Sequence, residues 1–527
     1  MQIIQRDHGI WREMRSRNDD HQTVFSAICS HFEIERSGNI LGSCLLLFWF
    51  VGCNGSAAQQ PVIIETPSNS TQSTHASTET REESQPPDLR TRNSGEDWPF
   101  FLGPRGNSKS IEKGILRDWQ KNPPKIVWSV ALGESYGICS VSRGRCFQFD
   151  RGDDKARLRC FGSETGKLIW SYDYTTDYID SYGYNAGPRC SPVVDGDRVY
   201  IYGAAGELHC VRVRDGKRIW KVDTAVQFGV VQNFFGVGSN PVVFGDLLIA
   251  MVGGSPPDSQ RLPPGQLDRV EGDGSAIVAF DRFTGEVRYR LSDELASYAS
   301  LRLATIETRP WAFAFARGGL LGFDPRNGKL DFHFPWRAKL LESVNASVPV
   351  VVGNEVLISE TYGPGAALLA VKPGGHTVVW QDDASKRNKA MQTHWNTGIH
   401  QDGYFYASSG RHSRPAELRC VEWRTGNVMW KEPDLLRSSL LYVDGHFVCL
   451  SEDGVLRLIR VTPDSFQAVS QLVLKRGVPP ASTATAADAA AGMLLQYPAW
   501  AAPILSHGLL YVRGKDQLVC LELIPAS

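Results

Sequence analysis

The sequence predicts an all-β fold: an eight-bladed β-propeller of four-stranded blades, its last blade closed by a strand from the N-terminal side, preceded by a disordered N-terminal tether. Three observations carry this. A hairpin spelled LHCVRVRDGKRIW at 208–220 recurs along the chain, and a second kind of hairpin precedes each copy. The composition is also turn-rich and aromatic, with 50 Gly, 14 Trp and 16 Tyr among 527 residues.

Before the repeats begin, 40–52 reads ILGSCLLLFWFVG, an apolar run too short to span a bilayer comfortably and shaped like the core of a signal peptide. Phe50–Val51–Gly52–Cys53 resembles the lipobox of bacterial lipoproteins, which makes Cys53 the candidate lipidation site. An uncleaved anchor and ordinary export are the alternatives, and the translation start stays open. All three place the body outside the cytoplasm, in the cell envelope, on the periplasmic side or outer surface. Residues 1–53 are therefore read as the signal or anchor segment. Residues 54–97, rich in Ser, Thr, Pro, Glu and Gln, bury too little apolar surface to offset ordering entropy and read as a disordered linker. The propeller is assigned to 98–527.

Copies of the first hairpin follow at 158–170, 208–220, 277–289, 320–332, 368–380, 418–430 and 456–468. Apolar residues at alternate positions run into a turn and out again, and Gly166, Gly216, Gly285, Gly328 and Gly426 supply the positive φ such turns need. Upstream hairpins, such as SPVVDGDRVYIY at 191–202 and LLYVDGHFVCLS at 440–451, bring each unit to four strands. Four-stranded units at this spacing indicate a propeller rather than a helical solenoid. The upstream hairpins number eight, but the last downstream one is a stub, LVCLEL at 518–523. KIVWSVAL at 125–132 has the form of the missing outer strand, and pairing the two would close the ring without an exposed edge.

The pattern A-x-D-x-x-T-G-x-x-x-W, carried best by Ala279–Phe280–Asp281–Thr284–Gly285 and Thr165–Gly166–Lys167–Trp170, resembles the pyrroloquinoline-quinone (PQQ) repeat over about 98–527. Quinoprotein alcohol dehydrogenases and a non-enzymatic lipoprotein of outer-membrane β-barrel assembly share that repeat. The resemblance implies that Trp128, Trp170, Trp220, Trp380 and Trp430 dock neighbouring blades, with Tyr289 and Phe332 in the same place. Cys160, Cys210, Cys420 and Cys520 share one repeat position and read as small buried hydrophobes.

Alternating strands put the short turns inside hairpins on one rim and the longer loops between hairpins and blades on the other, so function is expected on the loop rim and at the channel mouth. Glu342 and Asn345 precede one inner strand, and Glu360 and Tyr362 follow its partner. His394 and Asn396 lead into the next blade, with Arg411 and His412 in the following loop. A carboxylate, an amide and an imidazole could hold a metal, orient a sugar or move a proton, and they could equally stitch loops together. Arg189, after the acidic Tyr-rich loop 172–189, is a candidate for holding an anion at the channel.

With a net charge of −1 and no basic stripe, nucleic acid is not an expected partner. The leading reading is an envelope-tethered, monomeric propeller that binds a protein or carbohydrate partner on its loop rim and is attached to the membrane through its N-terminal segment. The alternative is a periplasmic PQQ- or metal-dependent oxidoreductase acting on an alcohol or sugar. The resemblance admits PQQ with calcium, but it also implies a Glu/Asn/Asp calcium site, an Asp base and commonly a vicinal Cys pair. The chain has no adjacent cysteines, and no Asp base follows Glu342 and Asn345.

Overall fold

In the computed structural model, residues 85–262, 266–476 and 492–526 are described; Cys53, the signal or anchor segment and most of the linker lie outside them. Among the described residues, 32 strands form eight four-stranded antiparallel sheets arranged as the blades of a propeller. Blade 1 spans 140–175, blade 2 193–223, blade 3 242–291, blade 4 302–335, blade 5 350–381, blade 6 399–432 and blade 7 438–473. Blade 8 is composite: three strands from 504–522 accept Lys125–Ala131 as the fourth, with Trp128 opposite Cys520. This is the closure expected from the stub at the end of the repeats.

Each blade repeats one irregularity that the hydrophobic pattern does not show. The register between the third and fourth strands slips by one residue beside the signature position: at Cys160/Phe161, Cys210/Val211 and Cys420/Val421, and equivalently in the other blades. The composite blade carries the same slip between Ile126 and Trp128. A bulge adds twist to the outer strand, and here the twisted strand delivers its aromatic residue to the next blade. Indole Nε1 of Trp128 donates to Ser163 O (2.8 Å), Trp170 to Val213 O (3.0 Å), Trp220 to Arg282 O (3.0 Å), Trp380 to Trp423 O (2.7 Å) and Trp430 to Thr462 O (3.0 Å). Tyr289 serves blade 4 in the same way through Pro325 O (2.7 Å).

The turn glycines complete that joint. Gly216 has φ +73°, and a Cβ there would come within 2.6 Å of the Trp170 ring, so the position demands both the left-handed backbone and the missing side chain. All eight cysteines of the described region are buried free thiols, four of them in the signature column.

Residues 85–124 form a strap across the short-turn end of the ring. Leu89 N donates to Arg143 O (3.2 Å) in blade 1, Val194 N of blade 2 to Pro99 O (2.8 Å), and Tyr442 N of blade 7 to Ser108 O (2.9 Å). Arg302 of blade 4 donates to Arg105 O (2.6 Å), and Lys109 Nζ reaches Gln401 Oε1 of blade 6 (2.9 Å). In blade 8, the Glu112 carboxylate accepts His507 N (2.9 Å) and Gly508 N (2.6 Å), while His507 Nε2 lies 3.0 Å from Asp97 Oδ1. Residues 85–97, read from composition as the end of the linker, are thus bonded to the ring. The strap covers one end of the channel and leaves the loop rim as the open face.

Candidate functional site at the loop rim

Every connection between blades brings a polar or aromatic side chain to the loop rim. The Tyr-rich loop after blade 1 is organised by Asp180, whose carboxylate accepts Tyr182 N (3.0 Å) and Tyr184 N (3.1 Å) and pairs with Arg189 (2.5 Å). The Arg189 guanidinium lies over the rings of Tyr136 (5.5 Å) and Tyr178 (5.1 Å). Its charge is therefore engaged by Asp180 instead of facing the channel unpaired. Asp180 holds the loop so that Tyr182 and Tyr184 stand at the surface, where Tyr184 meets Phe235 (5.7 Å) and Trp500 (6.4 Å) and Tyr182 meets Phe234 (5.5 Å). Tyr136 stacks on Trp500 at 5.0 Å, and Trp395 approaches the same indole at 5.6 Å. Five inter-blade connections thereby build one aromatic surface.

Next to that surface, four of the residues singled out from sequence converge. Tyr362 Oη and His394 Nε2 are 3.1 Å apart, and Arg411 lies over the Tyr362 ring at 4.5 Å. His394 Nδ1 is 3.4 Å from Arg437 Nη1; a guanidinium only donates, so Nδ1 accepts and Nε2 carries the proton toward Tyr362. Burial, then the charges of Arg437 and Arg411, push the His394 imidazole down to about 3, while burial pushes the Tyr362 phenol up to about 12. Both are neutral at ordinary pH. His412 belongs to the same group, its imidazole held low by partial burial and by Arg411 and Arg437.

Beneath them lies a buried ion pair that sequence reasoning missed. Arg437 Nη2 meets Glu452 Oε2 at 2.6 Å and Arg437 Nε meets the same oxygen at 3.0 Å; Trp500 Nε1 donates to it at 2.9 Å. A signal was present: a Ser–Glu pair, Ser451–Glu452, stands at the end of the second strand of blade 7, with Glu452 just past it, as Ser359–Glu360 stands at the end of that of blade 5.

The remaining sequence candidates do other work. Asn345 is 1% exposed and its amide donates to Ala316 O (2.7 Å) and Trp336 O (3.2 Å), fastening one inter-blade loop. Asn396 donates to Ser408 O (2.9 Å) and accepts His394 N (3.2 Å). The Glu360 carboxylate accepts Tyr362 N (2.6 Å) and Gly363 N (2.9 Å), and burial pushes it up to about 7. Glu342 is half-buried near Tyr182, whose phenol is pushed up by burial and by the Glu342 charge.

These residues do not fit a calcium-held quinone. The Glu360 carboxylate is occupied by backbone N–H groups, and the positive charges beside Tyr362 and His394, the guanidiniums of Arg411 and Arg437, repel a cation; Asn345 Oδ1 is buried without a partner among the described residues, but a lone amide oxygen does not make a calcium site. No group of three or more His, Cys, Asp or Glu side chains among the described residues is placed to hold a metal ion.

Eight four-stranded blades, a split closing blade and an aromatic joint in the signature column define a PQQ-type β-propeller. The chain belongs to the PQQ-like family described as "Outer membrane protein assembly factor BamB", which matches it at 112–256 and 154–432. No curated protein sequence matches it. Among solved structures it is similar to the quinohemoprotein alcohol dehydrogenase of Comamonas testosteroni, at 11% identity and a TM-score of 0.53, covering 82% of this chain and 81% of that one. BamB from Moraxella catarrhalis aligns at 13% identity with a TM-score of 0.49, covering 76% of this chain and 97% of that one. At these identities the likeness establishes the fold alone.

Proposed function

We propose that this chain is an envelope-tethered binding scaffold that docks a protein partner on its loop rim, with Cys53 as the point of membrane attachment. One observation carries the reading. Ile179 (77% exposed), Tyr184 (55%), Tyr497 (55%) and Tyr182 (43%) are large apolar side chains on the open face, and the three tyrosines are linked through Trp500, Phe234 and Phe235. Exposed aromatic clusters flanked by arginine are the usual anchors of protein interfaces. Family membership supports an assembly role in the envelope. Photo-crosslinkers placed at Tyr184 and Tyr497 in cells should give discrete protein adducts, and one at Asp402 on the strapped rim should give none. Equal adducts from both rims, or retention on immobilised glycans with no protein adduct, would overturn the protein-docking reading.

The oxidoreductase reading has in its favour the fold shared with the Comamonas enzyme and the neutral Tyr362–His394 pair. Adding PQQ and calcium to the purified chain tests it: a bound chromophore with alcohol-dependent dye reduction would establish it, and none is expected.

A further inference from the structure

Beside the aromatic surface, with Ile179 common to both and Arg317 lying over the Phe234 ring at 5.8 Å, a cavity of about 460 Å³ opens on the loop rim between blades 2 and 3. That lies within the ~300–1,000 Å³ of ordinary small-molecule pockets. Its walls are largely apolar: Val231, Met251, Val252, Leu267, Val270 and Leu295 line it. Three buried polar atoms without a hydrogen-bond partner among the described residues belong to its lining: Tyr178 Oη, Ser239 Oγ and Arg317 Nη1. Ser239 is 1% exposed and the Arg317 side chain 5%. Buried donors are seldom left unmet, because each forfeits its hydration without replacement.

The charges around Arg317 point the same way. Its Nη2 bonds Asp268 Oδ1 (3.0 Å) and Leu341 O (2.9 Å), but the same Asp268 oxygen also takes Arg337 Nη2 (2.6 Å). Two guanidiniums thus share one carboxylate, which leaves an excess positive charge in the wall. The acidic residue that lines the cavity, Asp177, is exposed, on the loop after blade 1. Burial, outweighing the Asp268 contact, holds the Arg317 guanidinium below its ordinary value, as expected for a cation short of counter-charge.

We propose that this cavity is a binding site for a small amphiphilic carboxylate, its apolar body against Met251 and Leu295 and its carboxylate on Arg317 Nη1, with Ser239 Oγ donating a further hydrogen bond. The proposal does not rest on partner docking, although Ile179 borders both the cavity and the docking surface. The probes are 4-phenylbutanoate and its primary amide, titrated into the full chain by calorimetry and thermal shift. The acid should bind and raise Tm with concentration; the amide, which cannot form the charged contact, should bind at least about tenfold more weakly. Arg317→Gln should lose at least about tenfold in affinity for the acid. Because that variant also unbalances Asp268, Ala205→Phe, which places a ring in the cavity from its half-buried rim, is the second variant; it should abolish binding and leave the Tm of the free protein near wild type. Equal binding of acid and amide, unchanged binding in Ala205→Phe, or no binding of the acid at millimolar concentration would each overturn the proposal.

Discussion

Glu452→Gln is the perturbation that best separates the buried pair from the surface above it. Glu452 and Arg437 have side chains 1% and 10% exposed, joined by contacts of 2.6, 3.0 and 3.2 Å. Glutamine keeps the shape and one acceptor but removes the charge, so the Arg437 cation remains buried without compensation. Breaking one side of such a pair costs about 3–5 kcal/mol, and the retained acceptor places Glu452→Gln near the lower figure. Against a total stability of roughly 5–15 kcal/mol that loss is readily measured. Replacing both partners, Arg437→Met with Glu452→Leu, removes the orphaned charge and should cost less than the sum of the two single changes by about 2 kcal/mol. Burial raises the Glu452 carboxyl, but the hydrogen bonds and charge of Arg437 outweigh it and hold the group below its usual value of 4.5. The pair's contribution is therefore present above pH 4.5 and lost as pH falls below it. Urea unfolding followed by tryptophan fluorescence at pH 7 and at pH 3.5 measures both effects. A Glu452→Gln variant within about 1 kcal/mol of wild type at pH 7, or a double variant as costly as the sum, would refute the reasoning.

Trp220→Ala removes a blade joint and the bond to Arg282 O, and should cost about 3–5 kcal/mol in the same unfolding assay. Gly216→Ala should cost about 1–3 kcal/mol or more, since it strains the backbone and presses on Trp170. Deleting Lys125–Ala131 leaves Gln517–Glu522 as an open edge; light scattering should show self-association, which added synthetic KIVWSVA peptide suppresses. Glu360, pushed up to about 7 from 4.5, contributes stability that is fully present below pH 4.5 and lost as pH rises toward 7. The Tm of Glu360→Gln should accordingly vary less than that of wild type across that window. His394 should show no NMR titration between pH 8 and pH 5, given its descent to about 3; a midpoint above pH 6 would contradict its placement under Arg437 and Arg411.

The blades were legible because each repeats a two-residue period and a turn glycine, and because a stub at one end and a lone Trp128 strand at the other imply a composite blade. The bulge beside Cys160 and Cys210 was not, since it changes the pairing without changing the pattern. The strap was missed for a different reason: its grip depends on single contacts such as Asp97 with His507 and Lys109 with Gln401, at sequence separations of 410 and 292, that no local composition reveals. Tyr362, His394, Arg411 and His412 were found because their loops are adjacent in both sequence and ring. Arg437 and Trp500 were not, because they sit on the connections at either side of blade 7 and only the path of those loops brings them together around Glu452. Asn345 and Asn396 have the residue type of ligands, but their NH2 groups are spent on buried carbonyls that fasten the loops, and the Oδ1 of Asn396 is taken by His394 N.

The two ends of the ring are built by different means, and that difference constrains how it can work. At the short-turn end, the strap bonds blades 1, 2, 4, 6, 7 and 8 to one segment, so movement of a blade there must break its hydrogen bonds to the strap. At the loop end, the tyrosines rest on Asp180 and Trp500 while their outer faces stay in water. Binding energy gained on that face therefore does not have to reorganise the ring, since the joints made by Trp128 through Trp430 lie nearer the opposite rim. Docking and folding become separable: Tyr184→Ala should abolish a rim contact at little cost in stability, whereas Trp220→Ala should weaken the ring and leave the rim residues of the distant blades 6 and 7 in place.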